Sequence, residues 1–162
     1  MIEIEFENDT LTPALQRLAD GLLDMTPVMG EISEGWLENT INRMLRGEQP
    51  DGQPFAPRSP VSLEQYAASG FGAVPLFRKG WMRQGLFPEY GSDFVRIGSN
   101  EPQSAVMQFG ASQGEFGRTS RGGPIPWGDI PARPYLGVSD EDETMIIEEL
   151  SEWLMRTAEG KS

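Results

Sequence analysis

IPARPYLGVSDEDETMIIEELSEWL, residues 130–154, joins an extended lead-in, a glycine corner and a sharply capped amphipathic helix. Pro131 and Pro134 fix their own φ and push Ile130 and Arg133 away from helical geometry, so the lead-in is expected to be strand or polyproline-like chain. Gly137 lets the backbone turn where a Cβ would crowd it. Ser139 is a natural N-cap, and Asp142 stands three residues on in the capping-box position. Asp140, Glu141 and Asp142 lie at the positive end of the helix dipole. Ile146, Leu150, Trp153 and Leu154 then follow the i, i+4, i+7, i+8 spacing of one buried face, and Gly160 supplies a stop. A C-terminal helix docked on a core is the expectation.

Working back to the start, Ile2, Ile4 and Phe6 alternate with Glu3, Glu5 and Glu7, the pattern of a half-buried strand with an acidic outer face. Thr12 with Pro13 opens a helix whose stripe is Leu15, Leu18, Ala19, Leu22 and Leu23. Thr26-Pro27 repeats the start signal for a second helix running to about Arg46, with Gly47 as terminator. Gly30 and Gly35 inside it each cost up to ~1 kcal/mol, so packing has to hold that helix. The proline-punctuated segment 48–60 contains Phe55 and is expected to lie pinned across the surface. A short helix follows over Ser62 to Ala68, then a glycine-rich stretch. Leu76 to Leu86 carries Arg78, Lys79 and Arg83 together, the most basic patch of the chain. Leu86–Tyr90 and Phe94–Gly98 read as a hairpin around Gly91-Ser92. Pro102 to Phe109 reads as a helix ending at Gly110. Residues 111–129 form a long loop or arm with Arg118, Arg121 and Trp127. The fold class predicted is α+β, as a single domain over 1–162. A small antiparallel sheet from the N-terminal strand, the hairpin and residues 133–136 carries long helices on one face, with the arm projecting.

Composition removes whole classes of function. The 162 residues contain no cysteine and no histidine, so thiol chemistry, disulfides and the commonest general base and metal ligand are all missing. The net charge of −12 argues against free-standing nucleic-acid binding, which needs a basic face. The acidic N-terminus is no signal peptide, and no apolar run approaches the roughly 20 residues that span a bilayer. A cytosolic protein, unless carried elsewhere in an assembly, is expected.

The acidic run 140–143 has no EF-hand spacing, and its consecutive side chains point in different directions, which suits a solvated helix cap better than a metal site. Residues 117–123 lack the phosphate-loop pattern. Ser59, Ser62 and Ser120 have neither a histidine nor a GxSxG context to activate them. A carboxylate-based hydrolase would need acids such as Glu89, Asp93 or Asp129 to converge in a cleft. The expectation is a chain that is not an enzyme, with no cofactor and no metal.

Four phrases occur in order: DGQPFAPRSPVS (51–62), LFRKGWMRQGL (76–86), IGSNEPQSAVMQFG (97–110) and IPARPYLG (130–137). With the closing acidic cap and amphipathic helix, they resemble the phage virion morphogenesis family, the tail-completion proteins of Mu-like tailed phages. Tyr135 stands where the family pattern has Phe, Met107 where His is common, Gln103-Ser104 where a Tyr-Ala pair is typical, and Gly80-Trp81 where Gly-Arg or Gly-Ser is usual. No role of that histidine carries over. The resemblance implies a structural protein of the virion, a subunit of a ring in the neck or at the tail top. Implied partners are further copies of itself, six with twelve as the alternative, adjacent neck and tail-tube proteins, and DNA passing without sequence-specific binding. No membrane is implied. The subunit-interface candidates are Phe55, Arg78, Arg83, Arg118, Arg121, Trp127, Arg133 and Tyr135, with Trp127 as anchor of the arm. The alternative is an assembly factor absent from the finished particle.

Overall fold

The computed structural model describes residues 10–76 and 79–161. The predicted strand over residues 2–6 lies outside them. In chain order the elements are α1 (Leu11–Gly21), α2 (Thr26–Arg46), α3 (Pro60–Ala68), α4 (Trp81–Gln84), β1 (Leu86–Tyr90), β2 (Val95–Ser99), α5 (Ser104–Phe109) and α6 (Asp140–Glu159). The class is α+β. No helix among the described residues is long and apolar enough to cross a membrane.

The spine is α2, 21 residues long, closed by Gly47 at φ 78°. Its start is braced by Asp24, which accepts from the Thr26 amide at 3.0 Å and the Thr26 hydroxyl at 2.6 Å. The hydroxyl bond, then the amide bond, hold the Asp24 carboxyl below its usual range. Along α2 lies α6, running the opposite way: Asn39 and Arg43 bond Asp142 at one end, and Glu31 bonds Arg156 at the other. The two glycines that weaken α2 have a packing role. A Cβ on Gly30 would sit 3.4 Å from the Tyr90 ring, and one on Gly35 would sit 3.1 Å from Met145 Sδ. They let β1 and α6 approach the spine closely.

Two apolar clusters divide the interior. Val28, Ile32 and Trp153 pack at the N-terminal half of α2 with Met25, Val95, Ile146 and Leu150. Met44, Phe55, Met82, Leu86 and Tyr135 pack at its C-terminal half with Leu37, Ile41, Leu76, Ile97, Met107 and Leu136. α1 docks on the far end of α6, where Arg17 Nε donates to the Ala158 carbonyl at 3.0 Å.

Several expectations need adjustment. Among the described residues the sheet has two strands, with Leu86 opposite Ser99 and Tyr90 opposite Val95. Residues 133–136 do not join it. Pro134 removes an amide donor from that segment and Pro131 another just before it, which a ladder cannot spare. Instead the Arg133 amide donates to Met107 O at 2.7 Å, and Gln108 Oε1 accepts from the amides of Tyr135 and Leu136, both at 3.0 Å. A side chain replaces the missing strand partner. α1 starts at Leu11, ahead of Thr12, and ends at Gly21, so Leu22 and Leu23 fall beyond it. α3 begins two residues before the expected Ser62, with Ser59 as its cap and Pro60 in its first turn. α5 begins at Ser104 and β2 at Val95, one or two residues later than predicted.

Candidate subunit interfaces

The corner at 137–143 is held by a buried ion pair. Arg43 Nη1 lies 2.7 Å from Asp142 Oδ2, with the two side chains 4% and 0% exposed. The Arg43 guanidinium also donates to Ser139 Oγ, Thr40 Oγ1 and the Gly137 carbonyl, which takes the Trp36 indole N–H as well. The predicted capping box is present: Ser139 Oγ accepts from the Asp142 amide while Asp142 Oδ2 accepts from the Ser139 amide. Reading residue by residue found the cap but missed Arg43. The available signal was a cation four residues after Asn39 and three after Thr40, on the face of α2 that carries Trp36 and Thr40.

Phe55 and Tyr135 are 5% and 1% exposed, in the core beside Met44 and Met82. Their surface lies inside the subunit, because the Phe55 amide bonds Gly47 O and draws residues 54–58 over the end of α2. Arg133 is buried too, its Nε donating to Ala56 O at 2.6 Å and its Nη2 to Pro57 O at 2.8 Å. It pins the proline-rich segment to the lead-in of α6. Burial, and next the charge of Arg58, push the Arg133 guanidinium below its usual value; arginine stays charged through such a shift. Arg83 is half-buried at the end of α4, and Arg78 lies outside the described residues.

Arg118, Arg121 and Trp127 stand on the exposed arm. The arm is a hydrogen-bonded hairpin. Ala111 and Ile130 exchange both backbone bonds, and further bonds run from the Gly114 amide to Pro126 O, Phe116 to Ile125 O, Ile125 to Gly117 O and Thr119 to Gly123 O. Gln113 closes the base, its side chain donating to Trp127 O and its amide to Asp129 Oδ1. Phe116 is 53% and Trp127 76% exposed, with the Trp127 ring laid across Gly123.

A second surface feature is a groove of about 510 Å³ between α3, α4 and the base of the arm. Leu76, Met82 and Met107 line it together with Arg58, Lys79 and Arg133, and Asp129 is its one acidic lining residue among those described. Arg58 lies 4.0 Å from the Tyr66 ring and donates to Val74 O at 2.9 Å. Trp81 is exposed at the edge, with Lys79 Nζ 5.3 Å from its ring. Glu89 is not in the groove; it faces Arg96 across the hairpin at 3.5 Å. A third feature is the outer side of α1, where Leu11 and Leu15 are more than half exposed.

Residues 6–155 match the model of the phage virion morphogenesis family. The chain is similar to the Mu-like prophage FluMu G protein 2 of Haemophilus influenzae, 29% identical over 154 residues that cover 94% of this chain and 96% of that protein. No solved structure matches. With its family model spanning nearly the whole fold described above, the chain belongs to the phage virion morphogenesis family, and its role lies in building a phage virion.

Proposed function

We propose that the chain is a structural subunit of the neck or tail-top ring of a tailed phage, completing the tail and joining it to the head, and working by shape with no bond made or broken. The observation that carries this reading is the arm. A hairpin knit by its own backbone presents Trp127, Phe116, Arg118 and Arg121 outward. An aromatic and arginine cluster of that kind is the composition of an interface anchor. The exposed leucines lie on the outer side of α1, which docks through Arg17 at the C-terminal end of α6, so the two apolar surfaces are unlike and apart. Unlike patches suit a head-to-tail contact, which closes into a ring when the rotation allows.

Six copies, with twelve as the alternative, would meet neck and tail-tube neighbours above and below. Glu141, Glu148 and Glu152 on the outer side of α6 are exposed. Facing the bore, they would let DNA pass without gripping it. A map of the assembled neck checks this, and a basic bore would end that assignment.

The decisive test is Trp127→Ala in a phage that encodes the chain. The variant is expected to keep its stability within about 0.5 kcal/mol, as surface changes do. Its particles are expected to accumulate as unjoined heads and tails, since a central anchor is worth about 2 kcal/mol or more per interface. Mass spectrometry of purified virions should find the unaltered chain in the particle. Its absence there would replace the ring subunit with an assembly factor that leaves before completion.

A further inference from the structure

α6 carries more apolar surface than the core uses. Ile146, Leu150 and Trp153 pack with Val28 and Ile32 of α2, yet Ile147 is 64% and Met155 59% exposed. Leu154 is exposed beside them, and the i, i+4, i+7, i+8 spacing of Ile147, Ser151, Leu154 and Met155 makes one continuous outer strip. Glu143 stands one turn before Ile147, and Asp140 two turns before it. Both acids are exposed, and neither enters an ion pair among the described residues. The strip is therefore acidic at its N-terminal end and apolar along the rest.

The arm has the opposite composition. Phe116 and Trp127 are its exposed aromatics, and Arg118 and Arg121 are exposed at its far end, with no ion pair among the described residues. Its two acids are engaged by backbone amides, Glu115 by that of Ser112 and Asp129 by that of Gln113, which leaves the tip basic. We propose that the arm of one copy lies on the outer strip of α6 of a second copy, with Trp127 and Phe116 on the apolar part and Arg118 and Arg121 beside Asp140 and Glu143. The inference rests on the ring-subunit reading and supplies its contact, because each copy carries one arm and one strip and so joins head to tail.

Within one copy the two surfaces stay apart. The arm is laced from Ala111 and Ile130 at its base to Thr119 and Gly123 near its tip, and there its arginines meet no carboxylate. Charge selects α6 over the leucines of α1. The acids of α1 and the turn after it are already hydrogen-bonded, Asp20 to Gln16 and Asp24 to Thr26, and Arg17 stands among them. Glu141, Glu148 and Glu152 lie further round α6 and stay clear for the bore. Exposed ion pairs hold little by themselves, so the aromatics supply the affinity while the charges set register and speed the encounter.

Because the chain has no cysteine, a disulfide pair can be introduced without background. Full-length chain carrying Ser120→Cys at the arm tip with Thr144→Cys on α6, both exposed positions, is oxidised and run on a non-reducing gel. The expected result is a ladder of covalently linked copies. Ser120→Cys with Ala19→Cys, beside the leucines of α1, should give none. Adding Arg121→Glu to the first pair should cut the ladder about tenfold in low salt, and adding Glu143→Arg as well should restore it, a recovery that a merely damaged arm would not show. A ladder from the Ala19 pair would move the arm to α1 and overturn the assignment to α6. A fast-migrating monomer with an internal disulfide would overturn the second copy, and absence of any disulfide would overturn the docking itself. Light scattering on the unaltered chain separates these failures from failure of the ring reading. Assembly without the ladder removes only this contact, whereas a chain that stays monomeric at every concentration removes both.

Discussion

Asp142→Ala is expected to destabilise the fold by about 3–5 kcal/mol, the cost of leaving a buried cation without its counter-charge. Asp142 Oδ2 accepts from Arg43 Nη1, the Ser139 amide and Ser139 Oγ, and Oδ1 accepts from Asn39. Removing the carboxylate strips the α6 cap and strands Arg43, whose Nε already lacks a partner in the interior. A small domain is stable by about 5–15 kcal/mol, so this one change consumes much of the margin. Urea titration should show a lowered midpoint with an unchanged slope. The double variant Arg43→Met with Asp142→Leu should recover most of the loss, since apolar residues of similar volume often replace a buried pair at no cost. A loss below about 1 kcal/mol in the single variant would mean that water enters the site and the pair is not a lock.

Tyr135 gives the second large effect, with two substitutions of opposite outcome. The ring is 1% exposed among Met44, Phe55, Met82 and Leu86, so Tyr135→Ala should cost about 3–5 kcal/mol through the cavity it leaves. Its hydroxyl, however, is buried with no hydrogen-bond partner. A buried donor left unmade costs about 1–3 kcal/mol, so Tyr135→Phe should be neutral or stabilising by up to about that amount. Phe is also the residue of the family pattern at this place. Thermal unfolding of both variants against the unaltered chain is the measurement. If Tyr135→Phe destabilises by more than about 1 kcal/mol, the hydroxyl has a partner in solution, such as a buried water.

The local signals were legible because each is written within a few residues. Ser139 with Asp142, Gly47 after Arg46 and the hairpin around Gly91 all appear where propensity and capping chemistry put them. The apolar stripe from Leu15 to Leu23 was legible too, yet Leu15, Leu22 and Leu23 remain exposed, since periodicity says which face is greasy and nothing about what covers it. Of the interface candidates, Arg118, Arg121 and Trp127 lie on the surface, while Phe55, Arg133 and Tyr135 are inside. The wording around those three is specific because an interior and a turn constrain it as tightly as an interface would.

By itself the amino-acid sequence determined where the two long helices, α2 and α6, start and stop, and which catalytic and ligating side chains are missing. These follow from short-range sterics, capping and composition. Only the tertiary structure decided that Arg43 meets Asp142, that Gln108 stands in for a strand, and that Arg58, Lys79 and Arg133 share one groove. Those pairings join residues from 21 positions apart, for Arg58 and Lys79, to 99, for Arg43 and Asp142. They depend on how α6 settles along α2 and on a buried charge having to find its partner, which no local pattern encodes.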